Sequence, residues 1–332
     1  MAAKIVLIGA GNIGSRHLQA LALLDRDADI QVVDTFAESL RISKERFNSV
    51  YESRQIDAAI CPVINVSYLE NLNDIDKDAD IAIVATSAAP RRAIVESLVN
   101  NTNIKHMILE KVLFQSVKDL YEIGSLLKVN GIRAWVDCVR RNFDFYWGLK
   151  EKLKDEAYVN MNAEGGDWGM GCNGIHLLDL YALLTGEKAF IADNAGLDYA
   201  VRDTKRSGYA EFTGQERLSC RRGRLTMASN YKSNARFIIT IATNNYHYVI
   251  DEGAKRVECR NSSDGWLPHE ETLDFGYVSQ ITQLNVQNIL DRGDCRLTKY
   301  EESVEIHECL LNSFLDHYNR VLGEDKKICP IT

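Results

Sequence analysis

The chain has 332 residues and a net charge of −8, with 45% hydrophobic and 26% charged residues. This length exceeds one small core and fits about two domains of roughly 150 residues each. The acidic balance argues against a broad nucleic-acid surface, and no apolar run approaches the roughly 18 residues that read as a membrane span.

The opening MAAKIVLIG lacks the basic region, long apolar region and cleavage site of a signal peptide, so its apolar residues are read as a first strand. The eight cysteines (Cys61, Cys138, Cys172, Cys220, Cys259, Cys295, Cys309 and Cys329) show no C-x-x-C pair and no zinc-ligand spacing. Free thiols in a reducing cytoplasm, and no metal, are expected.

KIVLIGA reads as a strand and SRHLQALALL as a helix with Leu18, Leu21 and Leu24 on one face. IQVVD is a second strand and AESLRISKERF a charged helix. IAIVAT, HMILEK and RAWVDC follow as strands, with helical RRAIVESLV and VKDLYEIGSLLKV between them. This rhythm predicts a doubly wound parallel sheet of Rossmann type, α/β, with ligands at the carboxyl ends of its strands.

The pattern changes after about Val139. Helical FYWGLKEKLKDEA is followed by a glycine-rich turn and the apolar helix IHLLDLYALL. Beyond Gly208, YAEFTGQERLSC, RLTMASNY, RFIITIATNNYHYVI and KRVECR have strand character, broken by turns such as RRG and DEG. They predict an open, mainly antiparallel sheet with one face buried. ESVEIHECLLNSFLDHYNRVL closes the chain as a helix ending at Gly323. The expected organisation is a doubly wound α/β domain over 1–139 and an α+β domain over 140–332.

Gly9, Gly11 and Gly14 form G-x-G-x-x-G after the first strand, with Asn12 and Ile13 in the turn that opens the helix. Gly9 permits the tight turn, Gly11 lets backbone approach a pyrophosphate, and Gly14 allows close packing. Asp34 ends the next strand 20 residues after Gly14, where an acid can accept the ribose hydroxyls of adenosine and repel a 2′-phosphate. NAD is expected over NADP, with Arg41 and Lys44 near enough to bear on the choice.

Glu110 and Lys111 end a later strand, where they are either solvated surface or part of a site. In GGDWGMGCNGIHLLDL, His176 and Asp179 are three apart on one helix face, with Cys172 four residues before the histidine. A buried His/Asp pair serves structure, a weak metal site with Cys172, or proton transfer from a hydroxyl whose carbon gives up hydride.

The glycine fingerprint, the strand-end EK and the GIHLLD helix, in that order and at these separations, resemble the glucose-fructose oxidoreductase/inositol dehydrogenase (Gfo/Idh/MocA) family along essentially the whole chain. The resemblance implies Lys111, His176 and Asp179 as catalytic residues. It places the nicotinamide ribose near Ala85, Thr86 and Ser87, with Glu110 and Lys111 beside the cofactor. It sets Arg141 toward the substrate, and Trp168, Cys172 and Asn173 with it.

The substrate implied is a sugar or sugar-nucleotide, and the assembly a homodimer or homotetramer through the open sheet, cytoplasmic, with no nucleic acid or membrane partner. The run WGMGCNGIHLLDL is similar to a branch met among bacterial surface-polysaccharide and nonulosonic-acid gene sets. Three departures stand out: Val112 in place of proline, Cys172 in place of an acid, and TSAAPRR in place of T-P-x-x-x-H. A different local turn is expected at Val112. A non-catalytic NAD-binding regulator or scaffold, and an epimerase or lyase that recycles NAD, are the alternatives.

Overall fold

In the computed structural model, residues 2–54, 62–273, 275–276 and 278–332 are described; Cys61 lies outside them. The first apolar runs become β1 (Ala3–Ile8), β2 (Ala28–Val33), β3 (Ile64–Leu69), β4 (Asp78–Val84), β5 (Asn103–Leu109) and β6 (Arg133–Val136). Between them in sequence lie α1 (Gly14–Leu21), α2 (Ala37–Tyr51), α3 (Ala88–Asn101) and α4 (Val117–Val129).

The strands pair in parallel in the order β3-β2-β1-β4-β5-β6, the doubly wound arrangement. Ile8 is in register with Val33 on one side and Val84 on the other. The strand order therefore reverses at β1 and β4, and the residues that follow them start from adjacent points at the carboxyl edge. The last four residues of both strands are buried, as expected of parallel strands covered on both faces.

The second half contains α5 (Asp144–Leu153), β7 (Val159–Gly165), α6 (Met170–Thr185) and β8 (Ile191–Leu197). A small pair, β9 (Arg202–Asp203) and β10 (Ala210–Glu211), precedes β11 (Gly214–Cys220), β12 (Gly223–Ser229), β13 (Ile238–Ala242), β14 (Tyr246–Asp251), β15 (Arg256–Asn261) and β16 (His269–Thr272). The chain ends with α7 (Val278–Arg292), β17 (Thr298–Lys299) and α8 (Tyr300–Leu322).

Among the described residues the second sheet runs β16-β15-β14-β13-β7-β12-β11-β8. All its pairs are antiparallel except β7 with β12. Val159, Met161 and Ala163 of β7 and Ile239 and Ile241 of β13 are buried, whereas Asn162 and Glu164 are exposed. The sheet thus has one covered face and one polar face, as the alternation predicts.

Two local readings need correction, and the sequence leaves one further element unassigned. The segment before α6 is not only a glycine-rich turn, because VNMNAEG forms β7 inside the second sheet. RFIITIATNNYHYVI is not one strand but two, β13 and β14, turning at Thr243–Asn245. VSQITQLNVQNILDR, rich in β-branched residues and asparagine, is a helix.

The chain divides into two compact units. Unit 1 holds Met1–Phe114, Tyr121–Asn142 and Gly276–Tyr300; unit 2 holds Gln115–Leu120, Phe143–Phe275 and Glu301–Thr332. Gly276–Tyr300 thus joins the first unit from far along the chain, where a single boundary near Val139 is expected from sequence. α7 packs on α1, and Val286 and Ile289 enter the core with Leu18, Leu21, Ile30 and Ile83. β17 pairs antiparallel with β6 at the edge of the parallel sheet. The Trp135 indole donates to Asp294 (3.0 Å) and Arg133 to the Gly293 carbonyl (2.7 Å), fixing the turn between α7 and β17.

Every described cysteine is a free thiol, and no described helix is long and apolar enough to cross a membrane. Ile289→Ala should destabilise unit 1 by about 2–5 kcal/mol, the range for emptying a buried isoleucine site. Urea denaturation followed by tryptophan fluorescence checks this, and an unchanged midpoint would show that α7 adds nothing to that core.

Candidate functional site

The turn after β1 sits where the strand order reverses. Gly9 has φ +91°, and a Cβ there would lie 3.0 Å from the Ala85 carbonyl oxygen. A Cβ on Gly14 would lie 1.8 Å from the Gly9 carbonyl oxygen, so α1 starts against the turn only because that atom is missing. A Cβ on Gly11 would meet nothing within 4 Å. Gly11, Asn12 and Ile13 are exposed, leaving the amino end of α1 open to an anion.

Asp34 follows β2 and turns back over this loop. Its carboxylate accepts from the amides of Ala10 (2.7 Å) and Phe36 (2.9 Å), one on each oxygen. A carboxylate has about four acceptor positions, so both oxygens keep capacity for a ribose diol. The Thr86 hydroxyl is buried and without a hydrogen-bond partner among the described residues, and its methyl lies 3.2 Å from the Cβ position of Gly9. A glycine cradle, an acid with spare acceptor capacity and an orphaned hydroxyl at adjacent strand ends fit a dinucleotide.

Glu110 ends β5 and is buried, which excludes the solvated-surface reading. Its side chain turns inward. His17 of α1 reaches it through Nε2 (3.0 Å), lies 3.7 Å from Asp137 after β6, and contacts Thr282 Oγ1 through Nδ1 (2.8 Å). Burial lowers the His17 pKa, but the hydrogen bond with Glu110 and the charges of Asp137 and Glu110 outweigh it and hold the imidazole above its ordinary value. Burial raises Glu110, yet His17, Lys111 and the hydrogen bond with Asp137 leave it lowered. Burial, then the Glu110 charge, push Asp137 up to about 7.

The shifts favour the charged forms of His17 and Glu110 and the protonated form of Asp137, which gives up its proton at about 7. These three residues form a group of metal-ligating type, with donor atoms within 4.8 Å of one another, and the Lys111 charge favours the ionised form of both acids. Sequence reading passed over His17 and Asp137. The available signal was a histidine on the apolar face of α1, four residues before Leu21, with acids following two strands.

Lys111 is half-buried, and the Lys111–Val112 peptide is cis, so valine does not exclude that geometry as expected. Arg91 of α3 is fully buried and donates to main-chain carbonyls around Lys111 and at Thr86. Arg141 is also buried, in the short 3-10 turn Val139–Asn142, and not on the surface.

In unit 2, α6 is apolar all round and almost wholly buried, as such a helix must be. Its three residues that are not buried, Cys172, Asn173 and His176, share one stripe, and the buried Asp179 continues it one turn on. Gly169, at φ +75°, has no side chain to cap the helix; Glu211 of β10 instead accepts from the amides of Gly171 (2.7 Å) and Cys172 (3.0 Å). Burial raises Glu211 above the usual carboxylate range against these bonds. Asn173 donates to the Trp168 carbonyl (2.9 Å), and the Trp168 indole donates to Ala228 (2.8 Å). The structure therefore gathers Trp168, Cys172, Asn173, His176 and Asp179 within unit 2. The glycine turn, Asp34, Ala85–Ser87, Glu110, Lys111 and Arg141 belong to unit 1.

The first unit is a dinucleotide-binding Rossmann domain. Residues 3–138 match the GFO_IDH_MocA family model, described as an oxidoreductase family with an NAD-binding Rossmann fold. The chain thus carries the NAD-binding domain of the Gfo/Idh/MocA oxidoreductases, and the family resemblance of the sequence is borne out.

A search of curated proteins by sequence found no match. Solved structures share the fold along nearly the full length. An oxidoreductase from Agrobacterium radiobacter, in complex with NAD+, L-tartaric acid and magnesium, is 14% identical, with a TM-score of 0.69 over 93% of this chain and 94% of that one. The UDP-N-acetylglucosamine 3-dehydrogenase GnnA from Acidithiobacillus ferrooxidans is 13% identical, with 0.65 over 94% and 97%. A super-repressor mutant of Gal80p from Saccharomyces cerevisiae is 12% identical, with 0.69 over 98% and 97%.

Because the Asp137 pKa is raised on folding, this group adds stability below the ordinary carboxylate range and loses it as pH rises through about 7. Asp137→Asn keeps the shape and removes that titration. The stability advantage of wild type over the variant should shrink as pH rises from about 5 to about 8. Urea denaturation across that range measures it; a constant difference would contradict the protonated Asp137.

Proposed function

We propose that the protein is an NAD-dependent dehydrogenase that oxidises a secondary alcohol of a sugar or sugar-nucleotide. The observation that carries this reading is the stripe on α6, where a half-open histidine and a buried aspartate interrupt an otherwise apolar, buried helix. Bound NAD would supply the hydride acceptor. Gly9, Gly11, Asn12, Ile13 and Gly14 hold the pyrophosphate, Asp34 the adenosine ribose, and Ala85, Thr86 and Ser87 the nicotinamide ribose. His176 takes the hydroxyl proton, Lys111 polarises or relays, and Asp179 fixes the hydroxyl or the imidazole. Trp168, Cys172, Asn173 and Arg141 orient the substrate.

NAD is favoured over NADP because Asp34 would meet a 2′-phosphate with a negative charge. The candidate cations are also engaged elsewhere: Arg41 with Glu38 (2.7 Å) and Glu45, and Lys44 with the Tyr68 ring, 5.9 Å from its centroid. A sugar-nucleotide is supported by the fold shared with a UDP-N-acetylglucosamine 3-dehydrogenase, and surface-polysaccharide or nonulosonic-acid synthesis by the resemblance of the α6 run. The reading includes assembly as a dimer or tetramer through the polar face of the second sheet. The fold shared with Gal80p supports a second reading, a non-catalytic NAD-binding regulator.

Mass spectrometry of molecules released on denaturation should show NAD or NADH in near-equal amount to protein. Incubation with a panel of sugars and nucleotide sugars should then generate NADH. His176→Ala should lower turnover by at least about 100-fold while NADH affinity stays within about twofold. Product without net NADH would point to internal hydride recycling. Cofactor binding without any hydride exchange would favour the regulator, and retained turnover in the variant would remove His176 from the reaction.

A further inference from the structure

We propose that Arg91 is a positioning residue, one that locks the two strand-end segments on the nicotinamide side into a single frame. This deepens the dehydrogenase reading and rests on its placement of the cofactor. Arg91 is the fourth residue of α3 and is 0% exposed. Its Nη1 donates to the carbonyls of Glu110 (2.6 Å), Leu113 (2.9 Å) and Val112, and its Nη2 donates to the Thr86 carbonyl. One planar cation thus holds both segments that leave the adjacent strands β4 and β5.

These carbonyls lie beyond the sheet ladder. Val84 pairs with Leu109, and the last bond between the two strands is Glu110 N–H to the Val84 carbonyl (3.0 Å). Past that bond the segments leave the ladder, and buried carbonyls need another donor. A guanidinium carries five N–H donors in a rigid fork, more than the three of an ammonium or the two of an imidazolium, and so suits four carbonyls on two segments. The choice is not a local helical preference, since a cation in the first turn of a helix opposes the helix dipole.

In T-P-x-x-x-H, the pattern of the resembled family, the histidine would fall on this position when the threonine is Thr86. The chain therefore replaces a ring by a longer cation that spans both segments. Holding a carbonyl also aims the amide across the same peptide plane in the opposite direction. Tying the Thr86 and Glu110 carbonyls to Arg91 thus sets the directions of the Ser87 and Lys111 N–H groups. Those are the residues given to the nicotinamide ribose and to proton relay. The adenosine half depends on Gly9–Gly14 and Asp34, which lie outside the two segments whose carbonyls Arg91 holds.

The test is calorimetric titration of the full-length protein with NADH and with ADP, for wild type, Arg91→Met and Arg91→Lys. ADP reports the adenosine and pyrophosphate half alone. Arg91→Met should weaken NADH by about tenfold or more and leave ADP within about twofold. Arg91→Lys, which keeps the charge but offers three donors in place of the five-donor fork, should fall between.

Equal loss of both ligands would make Arg91 a structural residue and overturn the proposal, as would NADH affinity unchanged in both variants. If Arg91→Met does not fold, Arg91→Lys decides by the same ratio; if neither folds, the role is structural and the proposal falls. Wild type binding neither ligand would instead overturn the cofactor reading, a result distinct from wild type binding both while the variants match it.

Discussion

Parallel strands that end together leave their last carbonyls and the first amides of the following helices along one edge, and that edge must be satisfied without a further strand. In unit 1 this requirement concentrates charge. Asp34 takes the amides of Ala10 and Phe36, Arg91 takes the carbonyls after β4 and β5, and Glu110 and Asp137 close on His17. Asp34 and Arg91 each supply hydrogen bonds that the ladder cannot make, and the His17 cluster pairs side chains at the same edge. Buried charge is tolerated there because every charge has a partner of opposite sign or a set of aligned dipoles. The same edge is then the place where an anionic dinucleotide finds unpaired donors, so the stability of the domain and its capacity for ligand share one cause.

The three-residue cluster shows how narrow the margin is. Two carboxyl groups in contact cannot both ionise at low cost, and one histidine neutralises only one of them. Retaining a proton on Asp137 resolves this without a further cation, and Lys111, adjacent in sequence to Glu110, acts on both acids through its charge. The side chain proposed for proton relay therefore lies beside a group that holds or releases a proton close to neutrality. Thr282, from the returning segment, fixes the imidazole through Nδ1. This contact ties α7 to the cluster as well as to the core, where Val286 and Ile289 pack.

Much of this was legible in the sequence. Apolar runs and three glycines identified the parallel sheet and its ligand turn because period and glycine geometry are local properties. Asp34 was found by spacing for the same reason. α7 was not, because its Val, Ile, Thr and Asn residues have poor intrinsic helix propensity and it is held by packing on α1. β7 was hidden by the glycines that follow it, although Val159, Met161 and Ala163 alternate as a strand should. The His17 cluster joins positions 93 and 120 residues downstream, and no pattern within one segment announces such a meeting. Arg91 looked like a departure from a motif, and its four carbonyl partners become visible only once β4 and β5 lie side by side.

The amino end of α6 makes the same point for substituted motifs. The resembled family usually carries an acid four residues before the histidine, and Cys172 stands there instead. The helix begins at a left-handed Gly169 that has no capping side chain, so its first amides lack partners of their own. Glu211 reaches in from β10 and takes two of them. A carboxyl group from another element thus caps this helix turn at the positive end of the helix dipole. The loss of an acid at Cys172 is therefore not the loss of acidity at that end of the helix. The Cys172 thiol and the Asn173 amide lie on the open stripe beside His176.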